Sequence, residues 1–169
     1  VLFDLGDTIL NFGRMNTTKA FLAGARASHA FLRTLGQPVA WFPRYFACNL
    51  IRLRIRYLIS NVTHNDFDSL EVLRAVGIRQ GVQLTPSQWD EFAWFWYETL
   101  SRSAQVEPDL PQTLGTLQRM GIKLGIVSNT FVSRASLAKH LGQLGLLDFF
   151  PVQLYSYEYH FSKPSVEIF

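Results

Sequence analysis

The sequence predicts an α/β fold in which a parallel sheet is interrupted after its first strand by an all-helical insertion. At both ends of the chain, short apolar runs that end in polar loops alternate with helical segments. The middle, from about residue 16 to residue 102, shows only the three- and four-residue apolar spacings of helices. The order strand, helix, strand, helix, strand predicts parallel strands joined by right-handed crossovers. We therefore place an α/β core at 1–14 and 105–169 and a helical cap at 15–104.

The elements follow in order from apolar spacing and stop signals. Residues 1–3, before a polar turn, predict a buried strand. Four helices are predicted next, beginning at about Phe21, Tyr45, Asp66 and Pro86. Beyond Pro108 we expect a short helix that ends at Gly121, a buried strand with a polar tip in IKLGIVSNT, a helix closed by Gly145 and a short strand in PVQLYS.

Composition and charge exclude several classes of protein. The 169 residues are 48% hydrophobic and carry a net charge of +3, which fits a folded protein with a real core and argues against disorder. The arginines are scattered, apart from Arg52, Arg54 and Arg56, which alternate with apolar residues. We interpret these three as solvated rather than as a phosphate-binding face, and we expect no nucleic-acid partner.

Cysteine content and hydropathy indicate the cellular setting. Cys48 is the single cysteine, so neither an internal disulfide nor a multi-cysteine metal site is possible, as is typical of a reducing compartment. No apolar run approaches the roughly 18 residues of a membrane helix, and no signal peptide opens the chain. We predict a cytoplasmic protein without a membrane partner. The start without Met and the end in KPSVEIF, the first turn of a helix, favour a fragment.

Polar side chains from three distant parts of the sequence follow the three predicted strands. Asp4 follows the first strand, Ser128 ends the second, and Lys163 lies in the loop after the third. Ligands of open parallel sheets bind beyond the carboxyl ends of the strands, so we expect these groups to converge. A carboxylate can attack phosphorus or carbon while a hydroxyl and an ammonium hold the transferred anion. A divalent cation such as Mg²⁺ would help two negative groups to meet.

The motifs DLGDT, LGIVSNT and SKPSVEIF occur in this order, each after a strand, and resemble the first three motifs of the haloacid dehalogenase (HAD)-like hydrolases. The resemblance covers residues 1–12 and about 107–169. The middle matches, in position and helical character, the cap that many members insert there. The resemblance implies a Rossmann-like core and an aspartyl-enzyme intermediate, most often a phosphoaspartate that forms with Mg²⁺ and is then hydrolysed.

The resemblance also implies roles for the matching residues. Asp4 takes the position of the nucleophile. Thr8 and Ser128 would orient the phosphoryl group, and Lys163 would stabilise Asp4 and the transferred anion. Asn129 would lie at the lip of the site, in reach of the substrate. The substrate is expected to be a small molecule, most often a phosphorylated one.

The sequence departs from the family pattern near the nucleophile. Gly6, which would offer its carbonyl to a metal ion also bound by Asp4, stands where phosphatases carry the aspartate that protonates the leaving group. Asp7 comes one residue later, where glycine is usual, and is the candidate replacement for that acid. His160 also stands where glycine is usual. The family's fourth motif, expected to supply a third metal ligand, would lie beyond residue 169.

Three functions remain open on these grounds. The leading hypothesis is an Mg²⁺-dependent phosphatase of a small phosphorylated metabolite that acts through Asp4. A 2-haloacid dehalogenase would use Asp4 without metal and would need a cap arginine, for which Arg33 and Arg44 are candidates. A catalytically weak or silent binding module is the third, because Gly6 removes the acid. The oligomeric state is not indicated.

Some of these residues also fit purely structural roles. Aspartate and glycine favour turns, and Ser128 has the chemistry of a cap for a helix that begins near Phe131. The aromatic stretch WDEFAWFWYETL places Trp89, Phe92 and Trp96 on one helix face. We predict that this helix is mostly core; the less favoured alternative is that another of its faces turns toward the cleft as an apolar substrate lid.

Overall fold

The computed structural model describes residues 1–14, 16–63, 66–159 and 162–168. His160 lies outside the described residues. Within them, three parallel strands form one sheet in the order β1-β2-β3. The strands are β1 (Leu2–Phe3), β2 (Gly125–Ser128) and β3 (Val152–Tyr155). Phe3 pairs with Ile126, and Ser128 pairs with Tyr155. The predicted α/β fold with a parallel sheet is therefore confirmed.

Five helices lie between β1 and β2 in the chain, and the first four span residues 17–101, which we call the helical segment. These four are α1 (Thr17–Thr34), α2 (Phe42–Thr63), α3 (Ser69–Arg79) and α4 (Pro86–Ser101). Side chains cap three of them: Asn16 caps α1, Asp68 caps α3, and Thr85 forms a capping box with Gln88 at α4. Gly36 has a φ of +66° just after α1, where an αL residue ends a helix.

The remaining helices flank the sheet. They are α5 (Leu110–Arg119), α6 (Arg134–Gln143) and the one-turn α7 (Ser156–Tyr159), with 3₁₀ turns at Leu147–Phe149 and Val166–Ile168. Because α6 begins at Arg134, with Ser133 at the N-cap position, the interpretation of Ser128 as a helix cap is wrong. Among the described residues, no helix is long and apolar enough to cross a membrane.

Helix α4 connects two apolar clusters. Trp89, Phe92 and Trp96 belong to a cluster within the helical segment, whereas Trp94 and Tyr97 pack with buried residues of the sheet and its helices. All five side chains are at most 5% exposed, so the prediction that the aromatic helix is core is confirmed. The Tyr97 hydroxyl also bonds to Nδ1 of His140 on α6 at 2.9 Å, which satisfies both buried polar groups.

Candidate active site

Asp4 and Lys163 meet at the carboxyl ends of the strands. Asp4 follows β1 directly, and its Oδ2 lies 2.6 Å from Nζ of Lys163. The other oxygen, Oδ1, accepts the N–H of Leu5 at 2.7 Å. The Asp4 side chain is still 44% exposed, so a ligand has access to it. The ammonium places a positive charge where an anion would approach the carboxylate.

The loop that carries Lys163 is tied to the end of β2. Lys163 Nζ donates to the Val127 carbonyl at 3.0 Å. The Asn129 side chain binds the Lys163 backbone twice: its Nδ2 donates to the carbonyl at 3.0 Å, and its Oδ1 accepts the N–H at 2.7 Å. Asn129 thus positions Lys163, and its expected contact with substrate stays a prediction.

The two hydroxyls that the sequence assigns to this site, those of Ser128 and Thr8, have their donors available. Ser128, the last residue of β2, is 4% exposed, and Thr8 is exposed. Neither hydroxyl forms a hydrogen bond with another residue that the structure describes. Both residues therefore have a free O–H, as donors to phosphoryl oxygens require.

The turn after Asp4 accommodates the inverted order of Gly6 and Asp7. Asp7 has a φ of +54°, and its N–H donates to the Leu10 carbonyl at 2.9 Å. This left-handed conformation favours glycine and is tolerated by aspartate. A Cβ at Gly6 would meet nothing within 4 Å, so the position has room for a side chain. The Asp7 carboxylate makes no hydrogen bond or ion pair within the described ranges, and its role as an acid stays a prediction.

The oxygen atoms that the site offers are of the chemical type that binds Mg²⁺. The Asp4 carboxylate and the Gly6 carbonyl are the hard ligands that this ion prefers, and Mg²⁺ often completes its shell with water and substrate phosphate. The described part of the chain contains no group of three or more His, Cys, Asp or Glu side chains that could hold a metal. Asp4 and Gly6 would therefore hold the ion only with help from substrate or from ligands elsewhere.

A hydrogen-bond chain that sequence reasoning missed links the site to the helical segment. The Thr130 N–H donates to Ser156 Oγ at 3.1 Å, and Ser156 Oγ donates in turn to the Asp66 carboxylate. Ser60 on α2 donates to the other oxygen of Asp66 at 3.0 Å. The only signal in the sequence is that Ser156 directly follows β3, as Asp4 follows β1.

Two cavities of opposite character lie between the helical segment and the residues that follow β2 and β3. The apolar cavity has a volume of about 420 Å³. Its walls include Phe21, Leu53, Tyr57, Leu58, Arg54, Phe67, Trp96, Tyr97, Phe131, Ser133 and Ser136. The acidic cavity, of about 740 Å³, is lined by Asp66, Asp68, Glu71, Glu158 and Arg56, among others. Arg33 and Arg44, the arginines suggested for a dehalogenase, are exposed and border neither cavity.

The carboxyl group of Asp68, at the edge of the acidic cavity, has a raised pKa. Burial raises its pKa from the ordinary 3.8 to about 6, and the nearby charges of Glu71 and Glu158 add to the effect. The N–H of Leu70, which donates to Asp68 at 2.7 Å, acts in the opposite direction. Glu158 is itself paired with Arg134 through two bonds of 2.7 and 2.6 Å.

Comparison with solved structures relates this fold to known hydrolases. A HAD phosphatase from Thermococcus onnurineus is 25% identical, with a TM-score of 0.51, and the match covers 99% of this chain and 66% of that one. The L-2-haloacid dehalogenase of Xanthobacter autotrophicus is 17% identical, with a TM-score of 0.47 and coverage of 99% and 60%. A Bacillus subtilis HAD-hydrolase bound to magnesium is 21% identical, with a TM-score of 0.46 and coverage of 99% and 69%.

The chain thus spans slightly less than two thirds, 66%, of the length of the Thermococcus phosphatase. A search of curated proteins finds no match. The family model for haloacid dehalogenase-like hydrolases matches residues 1–169, which confirms the resemblance drawn from the three motifs. The chain therefore belongs to the haloacid dehalogenase-like hydrolase family.

Proposed function

We propose that the protein is a phosphatase that hydrolyses a small phosphorylated metabolite through an aspartyl-phosphate on Asp4. The observation that carries this proposal is the 2.6 Å pair of Asp4 and Lys163 at the strand ends, open to solvent on the carboxylate side. The similarity to the Thermococcus HAD phosphatase also supports it. The single cysteine, Cys48, supports a cytoplasmic setting for this activity.

The chemistry assigns a step to each residue. An oxygen of Asp4 attacks phosphorus, the bond from phosphorus to the ester oxygen breaks, and the alcohol leaves. Ser128, Thr8 and Lys163 stabilise the negative charge on the phosphoryl oxygens. Water then attacks the phosphorus of the phosphoaspartate, which releases phosphate and regenerates the Asp4 carboxylate. An Mg²⁺ ion held by Asp4 and the Gly6 carbonyl would supply positive charge to the phosphoryl group.

The site has no aspartate at position 6 to supply the proton that the leaving alcohol needs. Gly6 has no side chain to donate it, so the proton comes from Asp7 or from water in our proposal. Phosphoryl transfer through a loose transition state depends mainly on positioning and electrostatics. We therefore propose that the enzyme favours esters whose alcohol leaves without strong acid assistance.

We also propose that residues 15–104 act as a cap on an α/β core formed by 1–14 and 105–169. Two backbone hydrogen bonds between Asn11 and Gln105, of 2.9 and 2.7 Å, join the chain where it leaves the core and returns to it. Because both interface cavities lie between the helices and the residues after the strands, the cap would select the substrate.

The test uses the full-length protein and a panel of phosphate esters, with and without Mg²⁺. We expect turnover that depends on the metal and disappears in Asp4→Asn. Asp109→Asn, an exposed aspartate before α5 without a side-chain cap bond, is the matched control and should retain full activity. Activity that survives Asp4→Asn would overturn the assignment of the nucleophile.

A 2-haloacid dehalogenase is the second candidate, favoured by the absence of a carboxylate at Gly6. In that reaction Asp4 would displace halide from carbon, and no leaving-group acid is needed. Release of chloride from 2-chloropropionate without metal, lost in Asp4→Asn, would establish it. Absence of turnover with either substrate class, together with failure to trap a phosphate analogue, would leave a binding module.

A further inference from the structure

The apolar cavity has the size and lining of a small-molecule site. Its volume of about 420 Å³ falls within the range of roughly 300–1,000 Å³ typical of ligand pockets. Aromatic side chains come from both sides of the interface, with Phe21 and Tyr57 on the helices and Phe131 after β2. A molecule in this cavity would contact residues from both sides of the interface.

The cavity wall and the site at Asp4 are linked along the chain after β2. Phe131 follows Asn129 by two residues, so their Cα atoms are at most about 7.6 Å apart. Asn129 holds the backbone of Lys163, whose ammonium contacts Asp4. The segment that carries Phe131 into the cavity wall therefore also positions the ammonium that faces Asp4.

Several of the polar groups that line the cavity are bonded to other residues or exposed. The Ser133 hydroxyl donates to Ser136 at 3.1 Å, and Tyr97 is bonded to His140. Arg54 is exposed. Most of the lining is apolar, so each hydroxyl of a sugar or polyol that loses water here and finds no partner costs about 1–3 kcal/mol. The lining therefore selects against polyols and favours an apolar group.

We propose that the apolar cavity binds the organic group of the substrate and that this group is an aryl alcohol, so that the substrate is an aryl phosphate monoester. This inference rests on the proposed phosphatase function. Two independent observations point the same way, because an aromatic group fits the aromatic walls and a phenolate leaves without the acid that Gly6 cannot provide.

The first experiment separates binding from leaving-group chemistry in the full-length protein. Hexyl phosphate and glycerol phosphate both release alkoxides, so a difference in KM between them reports the organic group. We expect a KM at least about tenfold lower for hexyl phosphate, and a further decrease for 2-naphthyl phosphate. Binding of 2-naphthol, followed by tryptophan fluorescence, measures the cavity with no chemistry at all.

A matched pair of variants on α2 locates the binding. Leu58 lines the cavity and is 61% exposed, whereas Ile55 is 47% exposed and does not line it. Since both side chains are exposed, an aspartate at either position leaves the fold intact. We expect Leu58→Asp to raise the KM for 2-naphthyl phosphate and the Kd for 2-naphthol about tenfold, and Ile55→Asp to change neither.

The outcomes distinguish this inference from the function on which it rests. Phosphatase activity with no binding of 2-naphthol, or with equal effects of Leu58→Asp and Ile55→Asp, overturns the aryl site and leaves the phosphatase standing. Binding of 2-naphthol that weakens only in Leu58→Asp, in a protein that hydrolyses no phosphate ester, supports the aryl site and overturns the phosphatase.

Discussion

Asp4 and Asp66 are carboxylates at two ends of the same functional region, and their surroundings differ. Asp4 faces an ammonium and stays 44% exposed, so it can meet a ligand. Asp66 is partly buried between Ser60 and Ser156, which donate to its two oxygens from opposite sides of the interface. A cation and open access suit a carboxylate for reaction, whereas two hydroxyl donors and burial suit it for holding parts of the chain together.

The largest expected difference between the two carboxylates is in activity. Asp4→Asn should lower kcat at least about 10³-fold, because the amide is a poor nucleophile, while the melting temperature changes little. Asp66→Asn should keep kcat within about threefold, because its carboxylate touches no reacting group. Parallel measurement of kcat and thermal unfolding checks both. A loss of kcat in Asp66→Asn as large as in Asp4→Asn would make the distinction wrong.

The second prediction restores a proton donor beside Asp4. Gly6→Asp is sterically permitted, since a Cβ there meets nothing within 4 Å, and a positioned acid contributes typically 10²–10⁴-fold. We expect kcat on hexyl phosphate to rise about 10- to 100-fold and kcat on 2-naphthyl phosphate to rise much less, since phenolates leave unaided. Gly6→Asn has the same size without the proton and is the control. An equal gain from both variants would rule out acid catalysis as the cause.

The strand-end site could be predicted from sequence because topology alone brings it together. Asp4 directly follows β1, Ser128 ends β2, and Lys163 lies in the loop beyond β3 and α7, and parallel strands end at one edge. The link between Asp66 and Ser156 joins residues 90 positions apart and depends on how the helical segment packs on the sheet. No periodicity or motif encodes that packing, so this part of the interface could not be predicted.

Helix α4 also shows that the sequence predicts only part of the packing. Its spacing correctly placed Trp89, Phe92 and Trp96 on a core face. The sequence did not indicate that Trp94 and Tyr97 form a second core face against the sheet cluster, because an all-round apolar helix has no unique buried side. Which neighbour covers each face is decided by long-range contacts.

The third prediction tests whether Asp66 holds the interface. Asp66→Ala leaves the Ser60 and Ser156 hydroxyls without their acceptor, which should lower the free energy of unfolding by about 1–3 kcal/mol. Loss of the Ser156 contact should also loosen Thr130 and raise KM more than it lowers kcat. Urea titration and steady-state kinetics measure the two effects. Ser60→Ala is the control that removes one donor only, and an unchanged stability in Asp66→Ala would argue against the structural role.

The smallest expected effect concerns Asp68 and pH. Its pKa of about 6 in the folded protein, against 3.8 ordinarily, means that the folded state keeps the proton longer than the unfolded state. The resulting stabilisation is present below about pH 4 and is lost as the pH rises through 6. For a partly exposed group we expect a loss of about 1–2 kcal/mol between these limits.

Asp68→Asn separates this charge from the helix cap, because asparagine caps a helix as well as aspartate does. We expect the variant to be about 1–2 kcal/mol more stable than the parent at pH 7.5 and equal to it at pH 4. Urea titrations at half-unit steps of pH give both curves, with Asp109→Asn as the exposed control. Glu158 is paired with Arg134 and is not altered by the substitution, so parent and variant share this neighbour of residue 68. If the free energy of unfolding changed with pH in the same way in Asp68→Asn and in the parent, the charge of Asp68 would have no cost at the interface. Asp68 would then not differ from Asp4 in its tolerance of a charge.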